Sequence, residues 1–262
     1  MDATAIPPTA ISPTLRERSA PARTRMAYSR LIGALFLAGF LCYGLGFAVV
    51  SSVVGADDLL SSVSEHRTLL VFGAFLMLLN SIVDVGKGVL FFPILENHGK
   101  RIALVYLATM IVEVVLLALG VLCLLVLVPL AQQGAGGSAG QATPAWAGGV
   151  GALAVASNGI AYQVAEMVLG LGCVFLCALL YRTRLVPRFL AAWGLLGYAV
   201  LMTGSIAEIF AIHIGLVFSI PGGLFELALG VWLIAKGFRP DAYAGRATVA
   251  TPRQPVAEGP RR

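Results

Sequence analysis

The strongest constraint on this chain is a succession of apolar segments, each longer than the ~20 helical residues needed to cross about 30 Å of hydrocarbon. They cover residues 31–54, 68–95, 102–130, 151–180, 189–212 and 214–235. In lipid, a segment of this length must satisfy every backbone N–H and C=O within itself, so each reads as an α-helix. The expected fold is all-α: a polytopic membrane bundle of six transmembrane helices. The last division rests on length, since residues 189–235 are too many for one crossing and only Glu208 and His213 mark a turn. Pro221, Gly222 and Gly223 interrupt the sixth span early and predict a kink or unwound stretch there.

Composition agrees with this reading. The 262 residues are 58% hydrophobic and 12% charged, against about 25% charged in soluble domains. That excludes whole-chain disorder and an ordinary water-soluble domain. The polar ends, residues 1–30 and 237–262, are expected to be disordered tails flanking a membrane domain over 31–236. The apolar stretch of the first span and its leader are both longer than a cleavable signal sequence requires. Cys42, Cys123, Cys173 and Cys177 all fall within spans, which argues against a disulfide framework.

The basic residues set an orientation. Arg16, Arg18, Arg23, Arg25 and Arg30 precede the first span; Lys100 and Arg101 lie between the second and third; Arg182, Arg184 and Arg188 lie between the fourth and fifth. Lys236, Arg239, Arg246, Arg253, Arg261 and Arg262 follow the sixth. These are 16 of the 18 Lys and Arg, all on one side of a six-helix alternation, with Arg67 on the other side and Lys87 inside a span. The positive-inside rule then places both termini in the cytoplasm and the chain in the cell membrane. The net charge of +5 is thus a topology signal with scope for anionic-lipid contact, and nucleic acid is not an expected partner. A three-plus-three inverted repeat is compatible with this topology, but the halves show no convincing sequence match.

Six ionisable residues fall inside the spans: Asp84, Lys87, Glu113, Glu166, Glu208 and Glu226. Each costs about 2.5–3.5 kcal/mol at a helix centre on insertion scales, so such residues normally face a bundle interior, a partner or water. Five acids and one base cannot all pair as ions; the excess acids must be protonated, hydrated or bound to a cation. Helical spacing arranges polar and small residues in stripes. The second span has Asn80, Asp84 and Lys87; the third has Tyr106, Thr109 and Glu113. The fourth has Asn158, Tyr162, Glu166 and Gly170, with Gln163 alongside. Gly197, Gly204 and Glu208 align in the fifth, and Gly222, Glu226 and Gly230 in the sixth. Turned inward, these stripes make Asn80, Asp84, Lys87, Glu113, Tyr162, Gln163, Glu166, Glu208 and Glu226 the candidates for a ligand or ion pathway. The alternative is structural: Asp84–Lys87 as an intrahelical pair and the glutamates as interhelical glue. Such bonds contribute only about 0.6 kcal/mol each in bilayers.

Other signals carry less. Gly136-Gly137-Ser138-Ala139-Gly140 matches G-x-S-x-G, but it lies in a glycine-rich loop and not at a strand-to-helix turn. An intramembrane serine protease would have to draw on Ser205 and His213, without the expected glycine spacing. His66, His98 and His213 fall beside loops on both sides, and Cys173 with Cys177 reads as two small core residues, so no metal site is expected. Nothing points to a cofactor. Trp146, Trp193 and Trp232 lie near span ends, as interfacial anchors do.

Three stretches carry a family resemblance: Leu95–Leu117 with Arg101, Ala103, Leu104 and Glu113; YRTRLVPRFLAAWGLLG over Tyr181–Gly197; and PGGLFELALGVWLIAKG over Pro221–Gly237. In their order and spacing, over about residues 28–238, the chain resembles the bacterial membrane family called domain of unknown function 4386. The resemblance implies a multi-span membrane protein and no particular activity; it draws attention to Glu113 and Glu226 without assigning them a role. The chain departs from the family pattern at Thr183-Arg184-Leu185-Val186-Pro187, where a Ser-Gly-Tyr-Leu-Pro-like run is expected, and in its glycine-rich outer loop. The resulting expectation is a small transporter or channel-like protein with a midplane carboxylate-lined cavity for a proton, cation or small polar ligand. The alternatives are a non-catalytic membrane scaffold or envelope-stress component, and an intramembrane enzyme using a carboxylate pair.

Overall fold

A computed structural model describes residues 22–135, 145–213 and 215–243. Among these residues all regular structure is helical. Helix α1 (Ala22–Val54) starts well before the expected span, so residues 22–30 are helix and not tail. Two contacts tie this extension to other helices: the Tyr28 hydroxyl donates to the Leu90 carbonyl (2.6 Å) and Arg30 Nε to the Ile234 carbonyl (3.1 Å). The short α2 (Leu59–Glu65) occupies the expected outer loop and is N-capped by Asp58, whose side chain accepts from the Ser61 amide.

The second and third expected spans form one helical run, α3 (Arg67–Leu125), broken only at Gly99 (φ −177°, ψ 83°). The loop foreseen at 96–101 is therefore helix on both sides of one residue. Asn97 and His98 turn their side chains back onto the Pro93 and Ile94 carbonyls, which serves backbone acceptors as the first arm ends. Beyond Gly99 the second arm folds back along the first: the Phe91 and Tyr106 rings meet edge-on at 5.7 Å, and Gly88 lies against Leu107 and Met110. Then follow α4 (Leu127–Ala135), α5 (Ala145–Thr183) and α6 (Arg188–Ile209). A 3-10 turn (Gly215–Ser219) leads into α7 (Ile220–Ala235). Pro221 sits in the first turn of α7, where its missing N–H has no partner to lose. It lies at the start of the α-helix, and the chain just upstream is 3-10 and not α-helical, so the irregular backbone falls before Pro221 and not as a kink within α7.

The C-terminal expectation is also corrected. Gly237 adopts a left-handed conformation (φ +70°) and turns the chain back under the bundle. The Phe238 amide donates to Ser29 Oγ and the Arg239 amide to the Leu185 carbonyl, and Phe238 and Ala242 are buried. Residues 237–242 thus belong to the packed body. The G-x-S-x-G stretch at 136–140 lies outside the described residues.

Five helical runs are long and apolar enough to cross a membrane: Arg23–Val54, Arg67–Gln133, Trp146–Thr183, Arg188–Ile209 and Val217–Ala235. The second contains both arms of α3. Their outward faces carry exposed Leu, Ile, Val and Phe, including Leu41, Ile82, Leu119, Leu153 and Leu196, an apolar surface far beyond what a soluble monomer shows.

Paired glycines let the backbones close. A Cβ on Gly33 would lie 2.5 Å from the Gly230 carbonyl oxygen (α1–α7), and one on Gly46 2.7 Å from that of Gly73 (α1–α3). One on Gly197 would lie 2.9 Å from the Pro221 carbonyl oxygen (α6–α7). These contacts set the helix registers. Two buried apolar clusters result. One draws on α1, both arms of α3, α5, α6, α7 and the segment through Ala242, and includes Phe36, Phe91, Tyr106, Tyr198 and Phe225. The other, at the opposite end, draws its buried members from α1 to α5 and includes Val50, Met77, Val121 and Leu127.

Filling one of these contacts tests the packing. Gly33→Val meets backbone that cannot yield and should destabilise the protein by about 1–3 kcal/mol, the range for overpacking. Gly148→Ala, whose Cβ meets nothing within 4 Å, should be neutral. Thermal unfolding in nanodiscs measures both.

Candidate functional site

Between the two apolar clusters lies a polar layer built around Lys87. Asn80, Asp84 and Lys87 share one face of the first α3 arm through i, i+4 and i+7 spacing. Lys87 Nζ lies 2.6 Å from Asp84 Oδ1, and both side chains are buried. Asn80 Nδ2 donates to the other Asp84 oxygen. The ammonium also faces Glu226 Oε2 of α7 at 3.7 Å and sits 4.9 Å above the Phe36 ring of α1. Glu226 Oε1 in turn accepts from the Tyr198 hydroxyl of α6 at 2.8 Å. One lysine thereby joins α1, α3, α6 and α7. Burial of an ion is tolerable only with this degree of pairing.

These groups line a cavity of about 180 Å³ that also includes Glu113 of the second α3 arm, Tyr162 and Glu166 of α5, and Tyr43 of α1. The Tyr43 and Tyr162 rings stack with centroids 5.9 Å apart. Tyr162 lies one helical turn before Glu166 on α5, and Ser219 lines the cavity with them. Glu113 Oε2 and Asn80 Oδ1 are buried and, among the described residues, accept no hydrogen bond. On the side of the chain ends the cavity meets the Phe36–Tyr106–Phe225 cluster. On the other side it reaches Ser219 and Gly44, which is exposed with nothing within 4 Å of its Cβ position. α6 and α7 contribute no buried residue to the apolar cluster at that end.

Seven of the nine residues singled out from the sequence therefore lie together: Asn80, Asp84, Lys87, Glu113, Tyr162, Glu166 and Glu226. Gln163 and Glu208 do not line the cavity. Gln163 stands about 100° around the helix from Tyr162. Glu208 lies near the end of α6, with Oε2 3.2 Å from His213 Nδ1. Glycine members of the stripes serve packing: Gly170 closes on Met202, Gly197 on the Pro221 carbonyl and Gly204 on Phe218. Tyr43, Tyr198 and Ser219 were missed. Each is an isolated polar residue in an apolar segment, so no stripe marked it. Cys173 and Cys177 are buried in the apolar cluster as free thiols. Among the described residues no three His, Cys, Asp or Glu side chains group closely enough to hold a metal ion.

The unequal partnering of the acids predicts unequal mutational cost. Asp84→Asn removes the closest counter-charge of a buried ammonium and should destabilise by about 3 kcal/mol. Glu113→Gln removes a carboxylate with an unpartnered oxygen and should cost less than about 1 kcal/mol. Chemical denaturation in mixed micelles gives both values; equal losses would contradict the pairing described.

A family model described as a domain of unknown function matches residues 31–237. No curated protein and no solved structure matches the chain. The matched segment contains every cavity residue named above, and the chain belongs to the family called domain of unknown function 4386.

Proposed function

We propose that the protein crosses the cytoplasmic membrane six times, with both termini inside, and acts as a small transporter or channel-like protein. Its polar cavity takes a proton, a cation or a small polar ligand. The observation that carries this reading is the placement of one lysine and four carboxylates around a single cavity, between two apolar clusters. Three features support the topology. The arms of α3 fold back at Gly99, making six helical arms of the five runs. Contacts among Arg30, Ile234, Leu185 and Arg239 bring the basic segments to one end of the bundle. The outward faces are apolar.

In this orientation the cavity faces outward. One lysine leaves three of four carboxylates without a cation of their own, so charge balance requires protons or a bound cation. Tyr43, Tyr162 and Ser219 stand at the outer edge of the cavity, where a ligand would pass them first. The Phe36–Tyr106–Phe225 cluster is the inner barrier, and transport requires it to part.

Two experiments test this. In proteoliposomes, an imposed potential should drive proton or monovalent-cation flux, read by entrapped dyes. Asp84→Asn, Glu166→Gln and Glu226→Gln should each lower that flux at least about tenfold, the effect of about 1.4 kcal/mol on a barrier. Unchanged flux in all three variants sinks the transport reading and leaves a scaffold role. Accessibility tests the orientation: Ser219→Cys, with Cys42 and Cys123 replaced by Ser, should react in whole cells with a membrane-impermeant thiol reagent. Native Cys173 and Cys177 should stay unlabelled.

A further inference from the structure

A second concavity, of about 580 Å³, lies away from the polar cavity, at the end of the bundle that holds the chain termini. The α5–α6 turn and the segment after α7 form its walls, joined by the Arg239 amide on the Leu185 carbonyl. Four cations line it: Arg184, Arg188, Lys236 and Arg239, all exposed. The other lining residues include Val186, Pro187, Trp232, Phe238 and Pro240, and the salt bridges among residues with described side chains involve Lys87 and His213 and not these four cations. Four positive charges around one concavity raise the local positive potential, which favours an anion there.

The backbone adds to the attraction. α6 begins in the cleft wall with Pro187 as its N-cap and has no side-chain cap there, so the positive end of a 22-residue helix faces this region. Arg188 is held over the Tyr181 ring at 5.4 Å. Arg184 follows the last residue of α5 in the left-handed conformation (φ 57°). Glycine is the usual and less strained residue in that place, yet the chain carries a cation there.

Beside the cations the cleft becomes apolar. Trp232 lines it and meets Phe189 edge-on at 6.4 Å, while Phe189 is 66% exposed on the outer face of α6. Val231, next to Trp232, is also exposed. An anion bound among the four cations would have an apolar surface running from it along α6 and α7. That combination fits an amphiphile better than a free ion.

We propose that this cleft is a binding site for the phosphate headgroup of an anionic phospholipid, with Arg184, Arg188, Lys236 and Arg239 around the phosphate and the acyl chains against Phe189 and Trp232. The site is independent of transport through the polar cavity. It would anchor the α5–α6 turn and the segment after α7 to the anionic inner leaflet.

The test uses the full chain in mild detergent, titrated with dimyristoyl phosphatidylglycerol, dimyristoyl phosphatidylcholine or inorganic phosphate and read by native mass spectrometry. Phosphatidylglycerol should bind at least about tenfold tighter than the other two. Arg184→Gly and Arg239→Gln should each weaken it about fivefold, the effect of removing one cation beside an anionic surface. Arg184→Gly suits the left-handed backbone and keeps the fold, so a loss there reports charge. Lys100→Gln, which removes a cation outside the cleft, should leave binding unchanged and separates a built site from a generally basic surface. Three results would overturn the proposal: equal retention of phosphatidylcholine, equal losses in Lys100→Gln and Arg184→Gly, or inorganic phosphate binding as tightly as the lipid.

Discussion

A buried ammonium dictates much of this architecture. Lys87 is buried between two apolar clusters, where an unpaired charge is not tolerated, and carboxylates from two helices and an aromatic ring from a third reach it. Asp84 is supplied locally by helix periodicity. Glu226 and Phe36 have to be brought from the far end and the start of the chain. The registers of α1 and α7 against α3 are therefore as much an electrostatic requirement as a packing one, and the Gly33–Gly230 and Gly46–Gly73 contacts that set them stand on either side of the polar layer.

The polar layer is stable because apolar clusters bound it on both sides, and the asymmetry of those clusters gives the molecule a direction. At the end of the chain termini, every long helix contributes to the buried core. At the opposite end α6 and α7 drop out, and a 3-10 turn replaces the first turn of a longer α7. Removing two helices from a core removes the hydrophobic seal over whatever lies beneath it. The α2 and α4 helices compensate on the other half of the same end, where they cover α1, α3 and α5.

A surplus of acids over bases is the chemical signature of the cavity. Asp84 and Glu226 are engaged by Lys87, Asn80 and Tyr198. Glu113 and Glu166 line the same cavity, and Glu113 keeps one oxygen without a hydrogen-bond partner among the described residues. A structural ion pair needs no such surplus. The basic cleft at the chain-terminus end is lined by four cations instead, and the two sites sit on either side of the same apolar cluster.

Much of this was legible in the sequence. Long apolar segments determine helices because lipid leaves no other way to satisfy the backbone, and the 3.6-residue period determines that Asn80, Asp84 and Lys87 share a face. The one-sided distribution of Lys and Arg is likewise a property of the sequence alone. Other features are tertiary. Whether Glu226 meets Lys87, whether Tyr43 stacks on Tyr162, and whether Gln163 or Glu208 joins them depend on rotation and register between helices far apart in the chain. Glycine-to-backbone contacts fix those quantities, and no local pattern encodes them. Gly99 folding α3 back in the middle of a helical run, and Gly237 returning the chain beneath the bundle, were hidden for a related reason. One residue's backbone angles redirect the chain, while the helical character of its neighbours is unchanged. Sequence determined which residues are expensive to bury; only the tertiary structure decided which of them are buried together.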